Sequence, residues 1–367
     1  MSVDPAIPSP SADALLRRTV HTALACLEPR IRALPKYRRG AVWERLAAAD
    51  LFCSFPVIWT DDRDRVHADR GFLAEYAGCP CHGRLLFRTG LTGEEVRALA
   101  FLWMLEARLR GVPDGIRIWG VDREPARLSD SESMRLCRGL LRGLNRCLPR
   151  CPPEDPPLAG APAREQGYLA GALLAREPDS PLSPFEAAGA GLCFFADAAL
   201  RTAGQQGLYG RTVVVSGDGS PARAAARMAG RMGARMLWRE PPAFPDEAGD
   251  VVFLCSPRAA LGTADARVLA ERRPAGIFEG CFGACSPEAA RYLDHSGLLF
   301  VPAIAAGSGG VRPGIVAAAW EAERQLRREM EALCGTLYAR NGDSLCRAAY
   351  ALALQNAADD LLSRGVV

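Results

Sequence analysis

Apolar side chains between residues 12 and 28 recur three and four apart. Leu15, Leu16, Val20, Ala23, Leu24 and Leu27 fall on one stripe, which predicts an amphipathic helix. A second helix is expected over 39–49, after the break at Leu34-Pro35. The period then changes. Residues 51–59 are β-rich and alternate, with Pro56 marking an edge or a bulge, and 66–76 follow across the turn Asp61-Asp62-Arg63-Asp64, so 51–76 reads as a hairpin. Residues 81–88 and 115–121 are further strands. Between them Thr92 and Glu95 form a capping box for a helix running to Gly111. Ser129 and Glu132 cap the next helix, to about Asn145; 147–162 is a proline-rich loop, and 165–176 is helical again.

From Pro184 the pattern becomes Ala/Gly-rich and alternates strand with helix. Helices are expected over 185–204, 263–272 and 287–294, with strands over 212–215, 250–255, 275–279 and 298–304. Such alternation implies a parallel, doubly wound sheet. Gly307-Ser308-Gly309-Gly310 is a turn, and two long helices follow, over 314–339 and 343–364. The fold class is therefore α/β. We divide it into a flexible tail (1–13), a substrate-type, dimerisation domain (14–183), a Rossmann-like dinucleotide-binding domain (184–340) and a C-terminal helix (341–367).

The strand over 212–215 runs into Gly217-Asp218-Gly219-Ser220-Pro221-Ala222 and then at once into a helix. In a dinucleotide site Gly217 permits the tight turn and Gly219 lets the backbone approach a diphosphate. Ala222 lets helix pack on strand, and the helix start, Ser220 included, offers free N–H groups. Two features oppose binding: Asp218 sets a carboxylate beside the phosphates, and Pro221 removes one N–H. A dinucleotide turn and a plain βαβ turn both remain open at this point.

Composition narrows the function classes. The chain has 367 residues, 49% of them hydrophobic, and a formal net charge of +3, enough for substantial cores and too weakly basic to argue for nucleic acid. Its longest apolar runs are too short to span a bilayer, and the polar, proline-rich start does not read as a signal peptide. Thirteen scattered cysteines suit a reducing, cytoplasmic setting. Cys79, Cys81 and His82, and Cys147 with Cys151, invite a metal reading, but neither set has proper ligand spacing, and ordinary thiols with no metal are expected. The only lysine is Lys36, so a mechanism needing a low-pKa lysine beyond the N-terminal segment is excluded.

Several stretches resemble the glutamate/leucine/phenylalanine/valine dehydrogenase family, and within it the hexameric glutamate dehydrogenases. They are Trp59-Thr60-Asp61-Asp62 through Arg70-Gly71-Phe72, Pro80-Cys81-His82-Gly83, Arg164-Glu165 with Gly167-Tyr168, Phe185-Glu186 to Gly191, Glu279-Gly280 with Ser286-Pro287-Glu288, and Gly309-Gly310-Val311. The resemblance runs from about residue 15 to the end. It implies an N-terminal α/β substrate domain, a Rossmann domain, and a C-terminal helix returning to the first domain. It also implies NAD or NADP as cofactor and a homo-oligomer, a hexamer by resemblance, or assembly with an active paralogue.

Its functional positions are substituted. The resemblance places the family's substrate lysines at His82 and near Glu106, its catalytic lysine at Ile118, and its catalytic aspartate at Leu158 or Gly160. The threonine near nicotinamide falls on Ala188, and two asparagines fall on Phe282 and Gly307. The acidic residue after the second Rossmann strand falls at about Pro241, beside Glu240, and the segment before Asp250 is short, so adenosine binding and even cofactor binding are open to loss. Arg239 could tolerate a 2′-phosphate.

Oxidative deamination needs a base of tuned pKa and a group that polarises the developing imine; Ile118 supplies neither. His82, Arg84 and Arg117 are candidate partners for a carboxylate, which Glu106 would oppose. The leading reading is a glutamate-dehydrogenase-like pseudoenzyme with a structural or regulatory role. The alternatives are an active NAD(P)-dependent amino-acid oxidoreductase with altered substrate or mechanism, and a non-catalytic sensor of nucleotide or amino acid.

Overall fold

A computed structural model describes residues 13–39, 41–76, 81–113, 115–147, 162–173, 183–217, 219–239, 249–256, 261–311 and 319–364. Four helices open it: α1 (Asp13–Ala25), α2 (Pro29–Arg32), α3 (Pro35–Arg39) and α4 (Val42–Ala47). The helix expected over 39–49 is thus split. Residue 41 takes a left-handed conformation (φ 45°), and α4 starts after it.

The first sheet contains β1 (Leu51–Thr60), β2 (Val66–Tyr76), β3 (Cys81–Phe87) and β4 (Gly115–Val121) in the order β1-β2-β4-β3. β1 and β2 form the antiparallel hairpin, and Pro56 lies on the outermost strand, where a missing N–H costs no pairing. β3 and β4 pair in parallel, which requires a crossover; α5 (Gly93–Leu109) provides it. Thr92 caps α5 through the expected box with Glu95.

Strand periodicity sorts the sheet's residues. Phe72, Ala74, Tyr76, Ile116 and Ile118 pack with α5, while Leu73, Leu85, Trp119 and Val121 pack under α6 (Asp130–Cys147). Ser129 caps α6 with Glu132, as its spacing predicts. α7 (Ala163–Leu173) lies against α6.

The second sheet is parallel throughout: β5 (Thr212–Ser216), β6 (Arg235–Arg239), β7 (Val251–Leu254), β8 (Gly276–Glu279) and β9 (Phe300–Val301), in the order β6-β5-β7-β8-β9. Helices cover both faces. α8 (Pro184–Thr202) and α9 (Ser220–Arg231) pack on Val213, Val215 and Phe253; α10 (Thr263–Glu271) and α11 (Pro287–Asp294) pack on Val252, Leu254 and Ile277. The strand expected over 298–304 is shorter: only Phe300–Val301 pair, and Pro302 caps a four-residue helix, α12 (Ala303–Ala306). Pro302 has no N–H to continue the ladder, and its fixed φ suits a helix start.

Two further helices follow, α13 (Ala319–Asn341) along α8 and α14 (Leu345–Ser363), which returns to pack on α5, α1 and α4 of the first half.

α8 and α9 meet at Gly189. A Cβ there would lie 2.5 Å from the Ala225 backbone nitrogen. Gly189→Ala is expected to cost about 1–3 kcal/mol through overpacking. Gly335→Ala, in an exposed stretch of α13 with open space beside it, is expected to gain about 0.5–1 kcal/mol. Urea unfolding of both variants checks the pair.

Candidate active site

Three strands and α5 build the floor of the candidate site. Ile118 on β4 pairs with Arg84 on β3 and with Ala74 on β2, so the three side chains share the face toward α5. Ile118 is fully buried among apolar neighbours. The sole lysine is elsewhere: Lys36 Nζ sits 2.6 Å from Asp359, on the outer side of α14.

Arg84 lies with its guanidinium carbon 4.4 Å from the centre of the Trp103 ring, a cation–π contact. Trp103 in turn meets Phe282 edge-on, with ring centres 6.5 Å apart. Phe282 follows β8, so the stack Arg84–Trp103–Phe282 joins the first sheet to the second. Phe282, the position to which the resemblance assigns an asparagine, sets an aromatic ring against Trp103.

Trp103, Glu106 and Arg110 form one stripe of α5, at i, i+3 and i+7. Glu106 is 3% exposed, and burial pushes its carboxyl up to about 7, against the opposing pull of Arg84 and Arg110. Arg110 pairs with Glu329 on α13. No hydrogen bond to the Glu106 carboxylate is present among the described residues. A buried carboxyl poised near neutrality between two guanidiniums can gain or lose a proton at physiological pH.

The other candidates separate. Arg117 lies on the opposite face of β4 from Arg84 and is bound by Glu75, its cross-strand partner, at 2.7 Å. It is a structural ion pair facing away from Ile118. His82 pairs with Ile116 through its backbone. Leu158, Gly160 and Glu240 lie outside the described residues.

The glycine turn sits at the carboxyl ends of β5 and β7, where the strand order reverses and where ligands of such sheets gather. Gly217 has φ 129°, and a Cβ on it would lie 2.7 Å from the Cys255 carbonyl oxygen. No other residue fits that position. Gly219 caps α9; a Cβ there would meet only Pro221 Cδ, at 3.6 Å, so the front of the turn is open. Ser220 is exposed beside it, and Ala222 is fully buried against the sheet. The open front and the free N–H groups at the start of α9 suit a diphosphate.

Glu279 braces the second half. It accepts hydrogen bonds from the backbone N–H groups of Cys285 (3.1 Å) and Ala303 (3.2 Å), tying the loop bearing Phe282 to α12. Burial raises its carboxyl to about 7, and these hydrogen bonds oppose the rise. Gly307 packs on backbone: a Cβ would lie 2.9 Å from Ala303 O and 3.1 Å from Gly280 O, which leaves no room for asparagine. Sequence reasoning passed over Trp103. The signal was present, an indole one turn before Glu106 on a helix facing the other half. Among the described residues no group of histidine, cysteine and carboxylate side chains could hold a metal ion, and no helix is long and apolar enough to cross a membrane.

No family model matches the chain. Curated relatives do. An NADP-specific glutamate dehydrogenase of Haemophilus influenzae is 29% identical over 235 residues, 60% of this chain and 52% of that protein. An NADP-specific glutamate dehydrogenase of Escherichia coli is 24% identical over 354 residues, 80% of this chain and 79% of that protein. An NAD-specific glutamate dehydrogenase of Clostridium symbiosum is 29% identical over 236 residues, covering 60% and 52%. The match spans about half the length of the first and third of these relatives. Solved structures agree in fold. A glutamate dehydrogenase superposes with a TM-score of 0.85 at 23% identity, covering 97% of this chain and 96% of that one. A hetero-hexameric glutamate dehydrogenase from Thermus thermophilus, in a leucine-bound form, superposes at 0.80 with 21% identity over 100% of both chains. Two α/β halves, a glycine turn at the sheet's switch point and this set of relatives make the chain similar to amino-acid dehydrogenases of the glutamate dehydrogenase kind.

Proposed function

We propose that this chain is a glutamate-dehydrogenase-like protein without amino-acid dehydrogenase activity, acting as a structural or regulatory subunit. The observation that carries this reading is Ile118. The position to which the resemblance assigns the family's catalytic lysine holds a fully buried aliphatic side chain, which can neither take a proton nor polarise a carbonyl. The lone lysine is engaged elsewhere, and the Arg84–Trp103–Phe282 stack occupies the floor next to it. We take residues 14–183 with 341–367 as the substrate-type lobe and 184–340 as the cofactor lobe. The relatives are named for NAD or NADP. In this chain the N–H groups around Gly219 and Ser220 would receive the diphosphate of such a cofactor, which would supply or accept hydride. We further propose a cytoplasmic homo-oligomer, or a subunit that joins an active relative; one structural neighbour is hetero-hexameric.

A second reading rests on Glu106. Its proton equilibrium near neutrality, beside Arg84, would serve an altered NAD(P)-dependent oxidoreductase as an acid or base.

Purified protein is expected to show no glutamate oxidation and no amination of 2-oxoglutarate with NAD(H) or NADP(H). Turnover at an ordinary dehydrogenase rate, about 1–1,000 per second, would sink the first reading. A rise in melting temperature with either cofactor but no turnover would assign the turn a binding role; no rise at millimolar cofactor would remove the second reading.

Glu106 makes a separate expectation. Its folded carboxyl holds its proton up to about 7, against an ordinary value of 4.5, so the folded state binds more protons and stability falls as pH rises through that window. Glu106→Gln, which cannot ionise, is expected to gain on wild type by up to about 3 kcal/mol between pH 5 and pH 8. Denaturant midpoints at the two pH values measure it, and a difference independent of pH would refute the assignment.

A further inference from the structure

Three elements meet where α14 begins. α1 packs directly on α14. The end of α11 arrives from the second half: the hydroxyl of Ser344, which caps α14, lies 2.8 and 3.0 Å from the two carboxylate oxygens of Asp294, the last residue of α11. The same hydroxyl accepts from the Arg347 N–H at 3.1 Å.

Two cysteines stand at this junction. Cys26 is the residue after α1, and Cys346 is the second residue of α14. Both are half-buried, and both are free thiols. They touch: the Cys346 thiol donates a hydrogen bond to the Cys26 sulfur, and the Cys26 thiol donates onward to the Thr22 carbonyl at 3.5 Å.

The two sulfurs are not equivalent. The hydrogen bond from Cys346 holds the Cys26 thiol below its ordinary value; burial and Asp294 oppose it, and the Arg347 guanidinium helps. The same hydrogen bond, followed by burial, pushes Cys346 well above its ordinary value, and Asp294 and Glu279 add to the rise. The pair also lies at the start of a long helix, whose unpaired N–H groups and dipole favour a thiolate. A reachable thiol with thiolate character beside a second, resolving thiol is the arrangement of a redox sensor. Other thiols differ. Burial pushes Cys53 up to about 12, and it also raises Cys137, Cys193, Cys255 and Cys334.

We propose that Cys26 and Cys346 form a reversible disulfide that staples the end of α1 to the start of α14. The oxidant is a low-molecular-weight disulfide, of which glutathione disulfide is the probe. The Cys26 thiolate attacks one of its sulfurs, forms a mixed disulfide and releases one glutathione thiolate. Cys346 then gives up its proton, attacks the Cys26 sulfur and expels the second glutathione thiolate. The protons of the two protein thiols end on the two glutathiones, so one protein disulfide forms as one glutathione disulfide is reduced. The link closes a loop that contains most of the chain, which restricts the unfolded state and makes the oxidised form the more stable one. In a reducing setting it forms transiently and reports an oxidising excursion. Neither thiol belongs to the Ile118 floor, so the switch is independent of turnover there.

The test is incubation of the full chain with excess glutathione disulfide, then alkylation of the remaining thiols and peptide mapping without reduction. A cross-linked peptide pair carrying Cys26 and Cys346 is expected, together with a rise in melting temperature of about 5–10 °C that dithiothreitol reverses. Cys26→Ser and Cys346→Ser are expected to lose the rise. Cys346→Ser is also expected to keep a glutathione adduct on Cys26, because its resolving thiol is gone. Cys53→Ser, which breaks a second neighbouring pair with Cys147, is expected to keep both the link and the rise. A wild-type map in which Cys26 and Cys346 stay alkylated would overturn the proposal, and that map needs no variant to fold. So would a link that leaves the melting temperature unchanged, or a full rise in Cys26→Ser.

Discussion

Burial of α5 on several sides is the constraint that the two halves share. The helix crosses over from β3 to β4 and lies on the first sheet, and it also meets α1, α12 and α14. A helix covered this way cannot keep a solvated face, so residues that would ordinarily point to water are drawn inward. Glu106 and Arg108 are 3% and 5% exposed. Desolvation disfavours each charge unless a partner offsets it. Arg108 answers with Asp360 and a carbonyl. Glu106 answers by holding its proton.

The same burial suits the aliphatic floor at Ile118. A lysine at position 118 would point toward α5, into a region now closed by aliphatic neighbours and the Arg84–Trp103–Phe282 stack. Isoleucine fills such a space without a desolvation penalty. The aromatic pair also gives the two halves a contact that depends on no substrate. On this reading the first sheet, α5 and the loop after β8 are kept for packing, and the glycine turn is retained beside them because Gly217 has no steric alternative against Cys255.

Much of this architecture was legible in the chain. The β1–β2 hairpin, the caps at Thr92 and Ser129, and the β5–turn–α9 unit follow from period-two alternation, Ser/Thr capping chemistry and glycine at a positive φ. These are local rules. The strand over 298–304 was over-extended because apolar content alone does not separate strand from helix, and Pro302 decided the matter. The grouping of Arg84 with Arg117 erred for a different reason. Both are basic and both lie on neighbouring strands, but the register sets residues 84 and 118 on one face and 83 and 117 on the other. Glu75, not a ligand, meets Arg117. The Trp103–Phe282 contact joins residues far apart in sequence and could not come from any local pattern.

The return of α14 has a kinetic side. α1 and α14 both pack on α5, so the first half is closed by residues far apart in sequence, with the whole second sheet made in between. Contacts of such sequence separation carry a large loop-closure entropy and form late. During synthesis the second sheet can assemble as its helices emerge, while α5 still exposes the apolar surface that α14 covers. The lobe of the first sheet is therefore closed only after the second sheet is made, and its exposed helix is the surface a nascent chain must keep from aggregating until α14 has emerged.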